Sequence, residues 1–194
     1  PDCGSGLTRS YSYYSDNLPA SLRNERGITT TYSYDLTRYL ETSRTEASGT
    51  PQARILTTQW HPTFRRPARI TAPNQRTDFT YNAQGQVLTR TETALDTGAA
   101  RTWSYTYDAS GRLTQSDGPR TDINDLTTYR YDNSGDLIQI TNALGHVTQI
   151  TQRDAHGRPL TVVDPNGVTT TLAYDPRGRL VRHTVADANA EKYR

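Results

Sequence analysis

Apolar and polar residues alternate with a period of two along much of the chain. In the stretch 170–174, TTLAY, Leu172 and Tyr174 share one face. Such alternation, rich in Thr, Tyr and Val, predicts β-strands. The next four residues, Asp175 to Gly178, read Asp-Pro-Arg-Gly, which fits a type I turn with Asp first, Pro second and Gly fourth. The pattern therefore predicts a β-hairpin around this turn.

The predicted turn assigns a role to each of its residues. Gly178 should take a positive φ, which gives a three-residue loop with a bulge and places Tyr174 opposite Leu180. Asp175 should begin the turn, with its carboxylate accepting nearby backbone N–H groups. Arg179 should be an exposed strand residue. The stretch is thus interpreted as a sharp bend rather than a reactive site.

The same nine-residue pattern recurs along the chain. Clear copies lie at 80–88, 106–114, 130–138 and 152–160, and looser copies lie at 13–21, 33–41 and 59–67. The glycine of each copy, or the residue that replaces it, marks one unit, and the markers are Asn17, Arg38, Phe64, Gly85, Gly111, Gly135, Gly157 and Gly178. Successive markers are 21 to 26 residues apart, which predicts eight hairpin repeats across residues 1–194.

Aligning the copies predicts two ladders of large side chains. The first consists of cross-strand pairs, namely Tyr34 with Leu40, Tyr81 with Val87, Tyr107 with Leu113, Tyr131 with Leu137 and Tyr174 with Leu180. The second lies two residues before each Tyr position, at Tyr11, Tyr32, Phe79, Tyr105, Tyr129 and Leu172. We expect these stripes to form the core, with Tyr107, Tyr131 and Tyr174 largely buried.

The candidate site residues are therefore structural. They are the turn and ladder residues of the three copies with Tyr-Asp-x-x-Gly, namely Tyr107, Asp108, Gly111, Tyr131, Asp132, Gly135, Tyr174, Asp175 and Gly178. Gly111, Gly135 and Gly178 should have positive φ. The predicted fold is all-β, with tandem hairpins forming one curved antiparallel sheet.

Some segments depart from the pattern. The unit at 60–67 has no glycine and should turn differently, whereas the polar connections 90–104 and 114–128 should form protruding loops. Residues 191–194 resemble the lead-in to another unit, and the chain has no Met, so we expect a piece of a longer repeat domain that stops mid-repeat. Open sheet edges should make the isolated chain self-associate.

Composition excludes some function classes. Mean hydropathy is −0.83, but abundant Tyr and Thr argue against disorder. No apolar run approaches the roughly 20 residues that span a bilayer. The arginines are spread along the chain beside acids, so no nucleic-acid partner is predicted. Cys3 is the only cysteine, which permits no internal disulfide.

The repeated Tyr-Asp-x-x-Gly-Arg-Leu resembles the YD repeat of the Rhs family, which includes bacterial polymorphic toxins, toxin-complex components and teneurins. The resemblance covers essentially all 194 residues, and the segment WHPTFRRPARI at 60–70 resembles one common in bacterial members. It implies a wall segment of a hollow β-shell that encloses a C-terminal toxin domain, often delivered by a type VI secretion system. The implied partners are neighbouring repeats, that toxin domain and secretion components. The implied location is outside the bacterial cell, after secretion or delivery, with the protein held in the cytoplasm before export.

The family also cleaves itself at a motif built around Asp-Pro-x-Gly-Leu. The stretch 164–168, which begins at Asp164 and ends at Val168, resembles that motif with Val in place of Leu. A normal repeat follows it at 169–185 rather than a toxin. We therefore interpret it as a turn between hairpins and carry no catalytic role onto Asp164.

No cofactor, metal site or enzymatic activity is predicted. The four histidines, His61, His146, His156 and His183, lack a metal-ligand spacing, and Gly4-Ser5-Gly6 is too short for a phosphate loop. The alternative function is carbohydrate binding or cell-surface adhesion through an exposed aromatic and arginine face. Trp60 and Trp103 are its candidates, although their positions in the ladder favour the core for both.

Overall fold

A computed structural model describes residues 8–186, which contain sixteen β-strands and no helix. The strands are β1 (Ser10–Tyr13), β2 (Pro19–Arg23), β3 (Thr29–Asp35), β4 (Leu40–Glu46), β5 (Arg54–Trp60), β6 (Pro67–Thr71), β7 (Gln75–Tyr81), β8 (Val87–Ala94), β9 (Ala100–Tyr107), β10 (Leu113–Asp117), β11 (Thr127–Tyr131), β12 (Leu137–Thr141), β13 (Val147–Arg153), β14 (Pro159–Val163), β15 (Thr169–Tyr174) and β16 (Leu180–Ala186). The predicted all-β class is confirmed. Cys3, the glycine pair around Ser5 and the lead-in at 191–194 lie outside the described residues.

The strands are hydrogen-bonded in chain order, from β1 to β16, in a single antiparallel sheet. This order is a succession of hairpins, which needs only short connections. The chain divides into two compact units within β9, after Thr102. The first unit contains β1 to β8 and the start of β9, and the second contains the rest of β9 and β10 to β16.

Each repeat marker lies in the turn of one hairpin. We call these eight connections, from β1–β2 to β15–β16, the marker turns. The predicted pairing is confirmed in four of them, where Tyr81 lies opposite Val87, Tyr107 opposite Leu113, Tyr131 opposite Leu137 and Tyr174 opposite Leu180. A bulge in the register accompanies these pairs, as a loop closed by a left-handed glycine requires.

The predicted pair of Tyr34 with Leu40 is wrong. Tyr34 lies opposite Glu41, and Asp35 lies opposite Leu40. The marker position here is Arg38 rather than glycine, and the positive φ of 53° falls on Tyr39 instead. Because the left-handed residue moves one position along the chain, the loop lengthens and the register shifts by one.

One of the two predicted loops is also wrong. The segment 90–104 is largely strand, since β8 and β9 are eight residues each and only 95–99 connects them. Its alternating Thr, Glu and Arg residues lengthen β8 and β9 and do not form a protruding loop. The other loop is confirmed, because residues 118–126 lie between β10 and β11 without strand pairing.

The predicted burial of the ladder tyrosines is confirmed, since Tyr107, Tyr131 and Tyr174 each have most of their surface covered, as do Trp60 and Trp103. Burial close to completion is rarer. Within 8–186, only Leu40 is a buried hydrophobic residue, with 6% of its surface exposed. Within each unit the strands contact only their neighbours in the sheet, and side chains of a single layer cover one another only partly. No helix in this part of the chain is long and apolar enough to cross a membrane.

Candidate functional site

Five of the eight marker turns are held by an aspartate that begins them. The Oδ1 atom of Asp108 accepts the backbone N–H groups of Ser110 and Arg112, each at 2.9 Å. Asp132 and Asp175 make the same pair of bonds within their own turns. The role predicted for Asp175 is thus confirmed.

The marker glycines adopt the predicted left-handed conformation. Gly111, Gly135 and Gly178 have φ values of 80°, 93° and 82°. Each donates its N–H to the carbonyl of the aspartate that begins its turn, at 2.8 to 3.1 Å. A residue with a Cβ is disfavoured in this conformation, which explains the glycine at the fourth position.

The arginine after the glycine forms an ion pair with the aspartate that begins the turn. The Nε atom of Arg112 donates to Oδ2 of Asp108 at 2.7 Å, and that of Arg158 donates to Oδ2 of Asp154 at 2.6 Å. Arg179 makes the same bond to Asp175 at 2.7 Å. It is exposed, as predicted, but it precedes β16 instead of lying in a strand. The ion pair was not predicted, although an Asp followed four residues later by Arg recurs in three copies.

Two of these arginines, Arg112 and Arg158, also contact a tyrosine of the next marker turn. The guanidinium carbon of Arg112 lies 4.9 Å from the ring centroid of Tyr131, and that of Arg158 lies 4.7 Å from the ring centroid of Tyr174. These are cation–π distances. One guanidinium therefore contacts an aspartate of its own turn and a tyrosine of the next, and links consecutive repeats.

The marker glycine also makes room for this link. A Cβ built on Gly178 would lie 2.7 Å from Nη1 of Arg158, and one on Gly135 would lie 3.2 Å from Nη1 of Arg112. Asp136 takes the place of the arginine in its repeat, and its carboxylate lies 3.3 Å from the position of a Cβ on Gly157. The glycine thus permits both the backbone conformation and the close approach of the preceding turn.

A second link joins consecutive hairpins through the Tyr position. We define the slot residue as the one at this position. It is the last residue of the first strand of each hairpin except β3, where Tyr34 lies one residue before the end of the strand. In four hairpins, the side chain of the slot residue donates a hydrogen bond to a backbone carbonyl of the preceding hairpin. The carbonyl belongs to the residue that lies opposite the slot residue of that preceding hairpin. The four bonds are Trp60 to Glu41, Tyr81 to Pro67, Tyr131 to Leu113 and Arg153 to Leu137. Trp60 bonds to Glu41 because Glu41 is the partner of Tyr34 after the register shift. Tryptophan, tyrosine and arginine side chains therefore make the equivalent hydrogen bond in different repeats.

The pKa shifts of Tyr81 and Asp108 favour the protonation states that the two kinds of link require. Desolvation raises the pKa of the Tyr81 phenol above its ordinary value, so this hydroxyl stays protonated and donates to the Pro67 carbonyl. The backbone N–H of Arg112 and then its guanidinium lower the pKa of Asp108 below its ordinary value. The aspartate of the turn is therefore the ionised partner of the arginine at neutral pH.

The third marker turn replaces aspartate with histidine. The Nδ1 atom of His61 accepts the N–H groups of Thr63 and Phe64 at 3.2 and 3.1 Å, which is the role of the aspartate elsewhere. Arg38 of the preceding turn donates to the carbonyls of His61 and Phe64. The ring of Phe64 lies 3.2 Å from the position of a Cβ on Gly85, so this turn also contacts the next one. The prediction that this unit turns differently is confirmed.

The stretch that resembles the self-cleavage motif forms an ordinary turn between β14 and β15. Oδ1 of Asp164 accepts the N–H groups of Asn166 and Val168, each at 2.8 Å, and Gly167 has a φ of 81°. This geometry repeats that of the marker turns at the other end of the strands. The interpretation as a turn between hairpins is confirmed.

The other candidate residues were placed as follows. His156 lies in the turn that begins at Asp154, to which it donates its backbone N–H. Among residues 8–186, no group of three or more His, Cys, Asp or Glu side chains could hold a metal ion. A cleft of about 290 Å³ lies in the first unit, lined by Asn74, Gln75, Glu92, Ala94, Ala99 and Arg101, which the sequence did not indicate.

Comparisons with known proteins agree with this repeat. Residues 153–190 match the family model of the RHS repeat. No curated protein sequence matches the chain. The crystal structure of TcdB2–TccC3 without its hypervariable C-terminal region has a TM-score of 0.74 at 17% identity, over 94% of this chain and 10% of that chain.

Two further solved structures give the same result. The crystal structure of TcdB2–TccC3 has a TM-score of 0.74 at 17% identity, and the Tc holotoxin pore of Photorhabdus luminescens has 0.73 at 18%. Each match covers 93% of this chain and 10% of the other, so the chain spans about a tenth of the length of these relatives. At this identity the likeness shows a shared fold. Together with the match to the repeat model, it confirms the resemblance to the Rhs/YD-repeat family, whose RHS repeat model matches residues 153–190.

Proposed function

We propose that this chain is a structural, non-catalytic segment of the shell wall of an Rhs-type toxin. The observation that carries the proposal is the repeated pair of links between consecutive hairpins. Arg112 and Arg158 each bind an aspartate in their own turn and a tyrosine in the next. The recurrence of these links in several repeats supports a role in construction, since a reactive site would need its chemistry only once.

We further propose that the shell encloses a toxin domain that follows the repeats in the parent chain. One matched complex was solved without its hypervariable C-terminal region, and another is a toxin pore. The partners would then be neighbouring repeats and the enclosed domain, and the protein would act after leaving a bacterial cell. The solved structures named above belong to Tc toxin assemblies, so the type VI route remains a prediction.

A single-layer sheet suits a wall. With few buried side chains, its stability depends on contacts between neighbours along the sheet, as in other repeat proteins. Exposed polar side chains on such a sheet can face water on either side. The chain can therefore form a surface between a cargo and the solvent without a thick hydrophobic core.

Limited proteolysis with mass spectrometry on the parent chain tests enclosure. A domain C-terminal to the repeats should resist the protease while it remains non-covalently held by the repeats. Tyr131→Ala, which removes a slot bond and an arginine contact, should make that domain easier to cleave, whereas Tyr39→Ala at an exposed position should not. Immediate cleavage of the downstream domain in the unmodified protein would contradict enclosure.

Carbohydrate binding remains the second candidate because of the cleft in the first unit, which has both polar and apolar lining. Its amide, carboxylate and guanidinium groups, from Gln75, Glu92 and Arg101, are types that bind sugar hydroxyls. The tryptophans give less support, since Trp60 is half-buried and its indole N–H is bonded to Glu41. A glycan screen on the chain, repeated with Arg101→Ala, distinguishes the candidates, because a pure wall segment should bind none.

A further inference from the structure

The third marker turn is the one marker turn that begins with histidine. The first residues of the others are Tyr14, Asp35, Asn82, Asp108, Asp132, Asp154 and Asp175. The Nδ1 atom of His61 accepts the backbone N–H groups of Thr63 and Phe64, which it can do only while it carries no proton. Mild acid can therefore remove the acceptor of this turn, because an imidazole ordinarily gains a proton at about pH 6.5, whereas a carboxyl does so at about pH 4.

Three arginines lie around this turn. Arg38 of the preceding hairpin donates to the carbonyls of His61 and Phe64 at 2.8 and 2.9 Å. Arg65 donates back to the carbonyl of Arg38 at 2.7 Å, and the carbonyl of Arg66 accepts the N–H of His61 at 2.9 Å. None of the three arginines forms an ion pair with a carboxylate among residues 8–186. A proton on the imidazole would thus add a positive charge beside three others that are not neutralised.

The carboxylates of the neighbouring strands are engaged elsewhere. Oδ1 of Asp35 accepts backbone N–H groups of its own turn, whereas Glu41 and Asp78 are ion-paired with arginines of their own or adjacent strands. No carboxylate in the described part of the chain forms an ion pair with His61. On the side of β7, the ring of His61 meets the ring of Tyr81 edge to face at 5.6 Å. An imidazolium at this position therefore has no counter-charge in contact with it.

The conformation of the third marker turn determines contacts with the hairpins on both sides. The ring of Phe64 stacks on that of His61, with 4.6 Å between the centroids. It also lies 3.2 Å from the position of a Cβ on Gly85, a buried glycine of the next marker turn. The N–H of Phe64 is bound to His61, and its carbonyl is bound to Arg38 of the preceding turn. Releasing residues 61–64 would therefore loosen both contacts at once.

We propose that the third marker turn is an acid-sensitive joint of the sheet. Protonation of His61 removes the acceptor of two backbone N–H groups and places a charge beside Arg38, so the turn opens and Phe64 moves away from Gly85. The acceptor contributes to stability above about pH 6.5, and this contribution is lost as pH falls below that value. The turns that begin with aspartate keep their acceptors until about pH 4 or lower. Mild acid thus weakens this hairpin before the others, whatever the wall encloses.

The urea midpoint of the 194-residue chain at two pH values tests the proposal, with His61→Asn as the comparison. Asparagine does not titrate, and it supplies an acceptor for two N–H groups, as Asn82 does in the next marker turn. We expect the two proteins to unfold at similar urea concentrations at pH 7.5. At pH 5.5 the unmodified chain should unfold at a lower urea concentration than the variant.

Hydrogen–deuterium exchange shows whether the change lies in this turn. After correction for the intrinsic pH dependence of exchange, peptides that contain Thr63 and Phe64 should lose protection about tenfold between pH 7.5 and 5.5. This factor is the ratio of protonated to neutral imidazole in an open turn at pH 5.5. Peptides from the turn that begins at Asp108 should keep their protection. The exchange measurement needs only the unmodified chain, so it tests the proposal even where the asparagine variant does not fold.

His156→Asn is the matched control. His156 also lies in a marker turn, but its side chain is exposed and its ring makes no hydrogen bond among residues 8–186. This variant should show the same pH dependence as the unmodified chain. If the difference in urea midpoint between the unmodified chain and His61→Asn is the same at both pH values, the proposal is wrong. A loss of protection that is equal in all marker turns also overturns it.

Discussion

The guanidinium of Arg158 lies 4.7 Å from the ring centroid of Tyr174, and the two residues belong to consecutive marker turns. The same guanidinium binds Asp154 of its own turn at 2.6 Å. One side chain therefore ties two hairpins together at their turns, in addition to the backbone hydrogen bonds of the sheet. This relationship explains why an acid, an arginine and a tyrosine accompany the glycine of the repeat.

Replacing Gly178 with alanine tests the double role of the marker glycine. Ala in a left-handed conformation costs about 1–2 kcal/mol, and displacing Arg158 from Tyr174 should cost about 0.5–1 kcal/mol more. Gly167→Ala is the matched control, since its φ is 81° but nothing lies within 4 Å of its Cβ position. Urea unfolding should show the larger loss for Gly178→Ala, and equal losses would refute the role in close approach.

Replacing Asp108 with asparagine tests the charge of the turn. Asparagine retains an oxygen for the two backbone N–H groups but loses the ion pair with Arg112. Because the folded state lowers the pKa of Asp108, its carboxylate stabilises the fold above the unfolded pKa of about 3.9 and this contribution is lost as pH falls through the folded pKa. Unfolding midpoints of the two proteins should therefore differ at neutral pH and converge below about pH 4.

Asp164→Asn serves as the control for that experiment. Asp164 makes the same two backbone bonds but has no ion pair with an arginine among residues 8–186. Its substitution should cost less at neutral pH than that of Asp108. If the difference in unfolding midpoint between Asp108→Asn and the unmodified chain persisted at acid pH, the charge of Asp108 would not be what stabilises the turn.

Removing the hydroxyl of Tyr131 tests the slot bond. Tyr131→Phe loses the donor to the Leu113 carbonyl, which lies at 2.8 Å, but keeps the ring beneath Arg112. We expect a loss of about 0.5–1.5 kcal/mol in the free energy of unfolding. Tyr39→Phe, at a residue with 58% of its surface exposed, should leave that free energy unchanged. A loss no greater than that of the control would contradict the proposed bond.

Substitutions of His61 test whether its ring nitrogen serves as the acceptor that aspartate supplies in other marker turns. His61→Ala should lose about 1 kcal/mol because the N–H groups of Thr63 and Phe64 lose their acceptor, along with the stacking on Phe64 at 4.6 Å. His61→Asn restores an acceptor of the kind that Asn82 supplies to Gln84 and Gln86. Thermal unfolding should place the asparagine variant above the alanine variant. The reverse order would indicate that ring packing, not the acceptor, is important.

The hairpins could be predicted because each turn is encoded locally. The spacing from Asp175 to Gly178 determines the turn type, and the turn type determines that Tyr174 faces Leu180. The same reasoning failed at Tyr34, where Arg38 replaces glycine and Tyr39 takes the positive φ. Local rules apply only where the residue that they depend on is present.

The links between repeats could not be predicted in the same way. The period-two pattern predicted that Tyr131 is mostly buried, which is confirmed, but it did not show which side chains of the neighbouring hairpins cover the ring. The contact of Arg112 with Tyr131 joins two repeats, and the sequence of one repeat does not show which side chain of the next lies beside it. The bond from Arg153 to Leu137 was missed because Arg does not resemble the Tyr that it replaces.

The coupling free energy between Arg158 and Tyr174 tests the central claim most directly, namely that side chains of consecutive marker turns hold the hairpins together. A double-mutant cycle with Arg158→Met and Tyr174→Leu, measured by urea unfolding, isolates this pair. We expect a favourable coupling of about 0.5–1 kcal/mol. A coupling indistinguishable from zero would contradict the account, because the arginine of one marker turn would then contribute nothing to holding the next hairpin.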